Sequence, residues 1–305
     1  MHSNNSRSWS DTLTPWYFLA PAIVIFIVYV VFPIGQSILM SFYQWDGIGE
    51  KVFIGFGNYL ELGEDPQFWT SLVNNILWLL FYMLAVPLGL GIALFLNQEV
   101  LGIRAVKSLF FFPFVISQVI IGIVFSWFYD PSYGLLQDIL ALVNIDPLPI
   151  LADEGLVTYG IIAAGLWPQV AYTMILFLTG LNNISPDQIE AARMDGAKGW
   201  SMLRYIVIPQ LRPATFIAVV VTVIGALRSF DLVASMTAGG PYGSSSVLAY
   251  FMYEQAIFNY RMGYGAAIAT VLFLIMLIYI AFFLWRMLKD ERGQDYVSHS
   301  HCTNK

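Results

Sequence analysis

Long apolar stretches separated by short polar ones organise the chain. Uncharged runs extend from Thr12 to Trp45, Pro66 to Gln98, Ser108 to Tyr129, Gly155 to Pro186 and Met262 to Trp285. A sixth stretch, Pro213 to Val233, is interrupted by Arg228 and Asp231. Each is long enough for the roughly 20 apolar residues that cross a bilayer as a helix. The pattern predicts an all-α polytopic membrane protein with six transmembrane helices, at about 16–40, 71–96, 107–129, 156–181, 214–234 and 263–288. Residues 1–15 and 289–305 are read as tails. The first stretch is expected to be a retained helix and not a signal peptide, since it is too long and lacks a small-x-small cleavage pattern at a sensible distance. Trp16, Tyr17, Trp78, Trp127, Tyr129, Trp167 and Trp285 supply aromatic anchors for membrane interfaces, and some of them pack inside the bundle.

Composition agrees with that pattern. The 305 residues are 58% apolar and 11% charged, against about 25% charged in an ordinary soluble domain. Six spans put both ends on one side. Of the 14 Lys and Arg residues, Lys51 and Arg261 fall in the opposite loops and Arg228 within a span, and all others lie on the side of the termini. The positive-inside rule therefore makes both termini, and the loops on their side, cytoplasmic. The net charge of −6 reflects acids clustered in the outer loops, Asp46 to Asp65 and Asp130 to Glu154. The single cysteine, Cys302, permits no intrachain disulfide, and the three histidines (His2, His299 and His301) are terminal and read as tail residues, not metal ligands.

Between the fourth and fifth stretches lies a polar, basic island, Ser185–Pro213. Ser185 is a good N-cap, Pro186 suits the first helical position, and Gln188 is placed to complete a capping box. Ala191, Ala192, Gly196 and Ala197 keep one stretch small, so another surface can approach the backbone closely. Gly196 permits a bend into a second short helix carrying Trp200, Leu203, Ile206 and Val207 along the membrane surface; Pro209 is expected to stop it and Pro213 to open the next helix.

The order Glu190-Ala191-Ala192, then Asp195-Gly196-Ala197, then Ile206-Val207-Ile208-Pro209 resembles the EAA signature of permease subunits of ATP-binding-cassette (ABC) importers, in its carbohydrate branch. Ile208 stands where that family usually has Leu. The outer Thr237-Ala238-Gly239-Gly240-Pro241, the Tyr253 to Phe258 run and Gly263-Tyr264 are similar to the same branch, with Ile257 where Phe is usual. The resemblance covers about Trp16 to Leu288. It implies a type I ABC importer permease fold and a non-enzymatic, multi-pass transport subunit of a bacterial or archaeal cell (inner) membrane. The implied partners are ABC ATPase subunits, a second and homologous permease subunit, an extracytoplasmic solute-binding protein and membrane lipid, with no nucleic acid. ATP and Mg would be bound by the ATPase and no cofactor by this chain. Glu190, Ala191, Ala192, Asp195, Gly196, Ala197 and Pro209 would be the ATPase-coupling residues, and the solute a sugar, or alternatively a polyol or glycerol phosphate ester.

The chemistry that is missing from the sequence points the same way. There is no Gly-x-x-x-x-Gly-Lys-Ser/Thr loop for ATP phosphates, and no span contains a histidine for a protease of the serine or zinc kind. An ion-gradient-driven carrier, the reading from another class, is expected to hold several ionisable groups at mid-membrane depth. Here there are two, Arg228 and Asp231, three residues apart and able to share a helix face, as a functional pair or as a structural ion pair. With Asn74, Trp167, Gln169 and Tyr172 they are the candidates for a wet translocation path: aromatic faces for the C–H faces of a sugar ring and hydrogen-bonding groups for its hydroxyls. Pro168 is a candidate kink beside them.

Overall fold

The computed structural model describes residues 9–98 and 102–302. Residues 1–8, 99–101 and 303–305 lie outside it, as do the side chains of both tails, including the three histidines and Cys302. Helices form most of the described chain. Four stretches are long and apolar enough to cross a membrane: Trp16–Met40, Pro66–Leu96, Val157–Asn182 and Met262–Trp285. Two bent pairs raise this to as many as six if each pair is one span.

One bend falls where the apolar pattern is silent, the other between Pro209 and Pro213, where a helix boundary is expected. The predicted helix at 107–129 is in fact α6 (Ile103–Val115) and α7 (Gln118–Phe128), bent by 98°. Pro113 inside α6 withholds one backbone donor near its end, and Ile116 and Ser117 then take extended backbone. The second pair is Gly199–Gln210 and α13 (Arg212–Leu227), bent by 70°. Pro209 does not stop the short helix as expected. A π turn at Leu203–Val207 widens the coil ahead of it, so the ring is tolerated, and the chain turns at Leu211 instead. Pro213 does sit in the first turn of α13, as expected. The predicted helix at 214–234 is also divided, into α13 and a short helix Phe230–Met236. By contrast Val157–Asn182 runs uninterrupted through Pro168.

The described residues form two compact units, one within 1–64 and 252–271, the other within 65–251 and 272–305. In the first, a two-residue antiparallel pairing of Tyr43–Gln44 with Val52–Phe53 is held by buried Asn58, which donates to the carbonyls of Ser41 (2.7 Å) and Tyr43 (3.0 Å). Glu61 pairs with Arg261. In the turn, the amides of Ile48 and Gly49 hold the Asp46 carboxyl below the usual carboxylate range.

The second unit is arranged around one helix, Val157–Asn182 (α9), whose neighbours are α4 (Pro66–Tyr82), α5 (Ala85–Leu96), α6, α7, α13 and α14 (Phe230–Met236). Ala93 and Leu96 of α5 pack against Met174, Phe177 and Leu181 of α9, with Leu211 and Ala218 closing the cluster. The two helices approach closely at Gly89, where a side chain would run into Thr173; the Thr173 hydroxyl donates to the Ala85 carbonyl at 2.7 Å.

One face of α4 is polar and holds the loop that follows α14. Asn74 donates to the carbonyls of Ser244 (2.6 Å) and Ser246 (2.8 Å), Gln67 donates to Gly243 O, and Asn75 accepts from the Leu248 amide. Gly239 takes φ +79° with the Tyr250 ring against it, so the Gly-Gly-Pro segment needs a residue without Cβ there. Replacing Asn74 by alanine removes the donor to both carbonyls, leaves Ser244 O with the longer 3.3 Å contact from the Thr158 hydroxyl, and is expected to cost about 2 kcal/mol. A thermal melt of the purified transporter that does not move would refute this role.

Candidate functional site: a cavity at a helix break

A cavity of about 420 Å³ lies among α4, α7, α9, α13 and α14. Its position follows from the division of the predicted fifth span. The helix ends at Leu227, Arg228 and Ser229 take non-helical backbone, and α14 begins at Phe230. The Ser229 hydroxyl donates to the Ala226 carbonyl (2.9 Å) and the Phe230 amide to Arg228 O (2.8 Å), which ties off the break locally. Arg228 and Asp231 flank this break and are both exposed, where they line the cavity.

The remaining walls come from three other helices. Gln169 and Tyr172 project from α9, Gln118 from the first turn of α7, and Tyr82 from the end of α4. Gln169 donates to the Thr222 hydroxyl at 2.9 Å, which fixes its amide and turns its carbonyl oxygen toward Gly225. Tyr172 stacks on Phe114, with ring centroids 4.9 Å apart and planes 19° apart. Gln118 Oε1 is buried with no hydrogen-bond partner among the described residues. A buried acceptor without a donor is costly, so this oxygen is available to a ligand hydroxyl. The lining thus offers a guanidinium, a carboxylate, two amides and two phenols. Ligand cavities are commonly about 300–1,000 Å³ with a few convergent polar groups, and this set suits a molecule rich in hydroxyls.

Four of the six path candidates, Gln169, Tyr172, Arg228 and Asp231, are brought together here. Asn74 is not: it is 5% exposed and both of its amide donor contacts go to the loop carbonyls. Trp167 is not either, because it faces away, against Phe125 and an apolar groove. The expectation that Arg228 and Asp231 share one helix face is also corrected, since the backbone break lies between them, and no ion pair joins them. Sequence reading missed Tyr82, Gln118 and Ser229. Gln118 had a legible signal, a lone amide inside an apolar run, the same signal that marked Gln169. Among the described residues, no group of three or more His, Cys, Asp or Glu side chains is placed to hold a metal ion.

The polar island is a helix, α10 (Pro186–Met194), followed by the Gly199–Gln210 stretch. Its start differs from expectation: Ser185 is the N-cap residue but its side chain makes no capping bond, so the capping box with Gln188 does not form. Its end is better defined than the sequence suggested. Gly196 has φ +86°, its amide donates to Arg193 O, and the Ala197 amide donates to Ala192 O at 2.9 Å. That pair of bonds is a Schellman cap, which requires a left-handed residue at Gly196. Glu190, Ala191, Asp195 and Gly196 are exposed, and a side chain added at Gly196 would meet nothing within 4 Å. Ala192 is buried. The result is a short exposed helix with a small-residue end.

The family model described as the inner membrane component of binding-protein-dependent transport systems matches residues 66–291. The chain belongs to this family. A probable ABC transporter permease of Pyrococcus horikoshii is 37% identical to this permease over 278 residues, covering 90% of this chain and 95% of that one. The lactose transport system permease LacF of Rhizobium radiobacter is 31% identical, covering 86% and 90%. A crystal structure of a bacterial ABC transporter that imports the acidic polysaccharide alginate matches with a TM-score of 0.80 at 22% identity, over 92% of this chain and 98% of that one. The fold is therefore that of an ABC importer permease, and the protein is a multi-pass transport subunit of the inner membrane, not an enzyme.

Proposed function

We propose that this permease subunit carries a sugar or short saccharide through the cavity bounded by Gln118, Gln169, Tyr172, Arg228 and Asp231. The observation that carries the reading is the cavity itself: amide, phenol and charged groups converge at a helix break inside an otherwise apolar bundle. Tyr172 offers a ring face to C–H surfaces, and the amides and ions exchange hydrogen bonds with hydroxyls. The relatives named for lactose and alginate support the substrate class. Arg228 and Asp231 together give the rim no net charge, which favours a neutral solute over a phosphate ester.

In this reading the exposed helix α10 and its cap, with Glu190, Ala191, Ala192, Asp195, Gly196, Ala197 and the downstream Pro209, contact an ATPase subunit that binds ATP and Mg. A second, homologous permease subunit completes the path, and an extracytoplasmic binding protein delivers the solute. Both termini and the island are cytoplasmic, as the distribution of Lys and Arg supports. ATP-driven closure of the ATPase pair acts on α10, and the helices exchange inward-open and outward-open arrangements; the requirement is that α10 make different contacts in the two states.

Uptake of labelled neutral saccharides, polyols and glycerol phosphate in a deletion strain tests the substrate class. Accumulation of glycerol phosphate alone would overturn it. Gly196→Val puts a β-branched side chain at φ +86°, a conformation that non-glycine residues resist. It is expected to cut both uptake and ATPase co-purification about tenfold, at a coupling cost near 1.4 kcal/mol. Unchanged co-purification would remove α10 from the coupling surface.

A further inference from the structure

Away from the path, a basic mouth opens where α6 begins and α9 ends. Arg104, Lys107 and Ser108 of α6 face Thr179 and Asn182 of α9 around a cavity of about 370 Å³. Among the described residues, neither Arg104 nor Lys107 has a carboxylate partner. Met174 lines this cavity and also the adjoining apolar groove of about 480 Å³, which continues along the same two helices past Leu109, Phe112, Pro113, Trp167 and Val170. From Thr179 to Trp167 the groove follows α9 for roughly 18 Å at 1.5 Å per residue. Phe112 and Leu109 are 57% and 72% exposed along it, so the protein leaves this apolar wall uncovered.

A positively charged, hydroxyl- and amide-lined mouth at the ends of two membrane helices, joined to a long apolar channel, matches one kind of molecule. We infer that the α6–α9 groove binds an anionic phospholipid. Its phosphate sits between Arg104 and Lys107, with Ser108 and Asn182 as hydrogen-bond donors, and an acyl chain lies along Phe112 and Trp167. The charge complementarity selects anionic over zwitterionic headgroups, and the groove selects a lipid over free phosphate. Basic pockets between transmembrane helices recognise such headgroups, and each nearby Lys or Arg contributes about 1 kcal/mol.

The test uses the transporter purified with its partner subunits and reconstituted into nanodiscs of phosphatidylcholine, with or without phosphatidylglycerol. Native mass spectrometry should show phosphatidylglycerol retained on the wild type. Retention should weaken about fivefold for Arg104→Gln or Lys107→Gln and roughly 30-fold for the double variant. The double variant Arg104→Lys with Lys107→Arg should retain it. Inorganic phosphate should not raise the thermal midpoint, whereas phosphatidylglycerol should. The inference is overturned if phosphatidylcholine is retained equally or if the double Gln variant binds phosphatidylglycerol like the wild type. It is also overturned if a photo-reactive residue at Phe112 crosslinks to a second permease subunit and not to lipid. Because the readout is bound lipid, a failure here is distinct from a failure of the sugar assignment.

Discussion

Arg228→Ala is expected to lower uptake roughly ten- to hundred-fold while leaving the thermal midpoint of the transporter in place. Arg228 lies exposed at the end of α13, lines the cavity, and has no ion-pair partner among the described residues. Its removal therefore takes nothing from the packed helices, and substitutions of that kind usually change stability by no more than about 0.5 kcal/mol. A solute hydroxyl bonded to a guanidinium loses about 1.5–3 kcal/mol with it, and each 1.4 kcal/mol is about tenfold in affinity. Asp231→Asn keeps the shape and one acceptor and should cost less than Arg228→Ala. If Arg228→Ala instead melts early and the surviving protein transports at the normal rate, the residue is structural and the path lies elsewhere.

The second large effect is on stability. Gly165 of α9 sits where α4 and α14 converge: a Cβ there would strike the Tyr82 hydroxyl, lie 2.7 Å from Leu232 Cδ1 and 3.2 Å from the Trp78 ring. Trp78 is fully buried and Tyr82 and Leu232 nearly so, so none can yield without moving its helix. Gly165→Leu is expected to destabilise the transporter by about 3 kcal/mol or more, the upper end for overpacking a dense interior. Gly91→Leu is the matched control. It too is a helical glycine in the bundle, but a Cβ there meets nothing within 4 Å, so the same chemistry should stabilise by up to about 1 kcal/mol. Equal melting shifts for the two variants would show that helix propensity, and not the three-helix contact at Gly165, governs the site.

Much of this architecture was written in the apolar runs, because each helix that crosses lipid must satisfy its backbone internally and stay apolar throughout. The positions of α9 and of the last helix follow directly from that rule. The breaks do not, because they depend on a few residues whose context is tertiary. Pro113 ends α6 with a 98° bend, yet Pro168 leaves α9 continuous. The cavity was partly legible: Gln169, Tyr172, Arg228 and Asp231 stand out as polar or charged residues in apolar helices. Asn74 carries the same signal and is spent on a loop some 170 residues away in sequence. A lone amide in an apolar run thus marks a buried polar contact, and only the fold decides whether its partner is backbone or solute. Glu190 to Ala197 was legible as a small-residue helix, but the Schellman bonds that fix Gly196 were not.

The π turns at Ile27–Val31, Leu203–Val207 and Glu254–Phe258 change how these helices are to be read. Each inserts one residue into an otherwise regular coil, and one residue is about 100° of rotation. A stripe drawn at i, i+4 and i+7 through Leu203–Val207 therefore leaves the surface on which it started. Trp200 and Ile208 are not the neighbours that a regular helix would make them. Deleting one residue within Leu203–Val207 would restore the α register and change the rotational position of Pro209 and the chain ahead of Leu211 by about 100°. A single-residue deletion there is thus a rotation of the segment, whereas a substitution at the same place only changes a side chain.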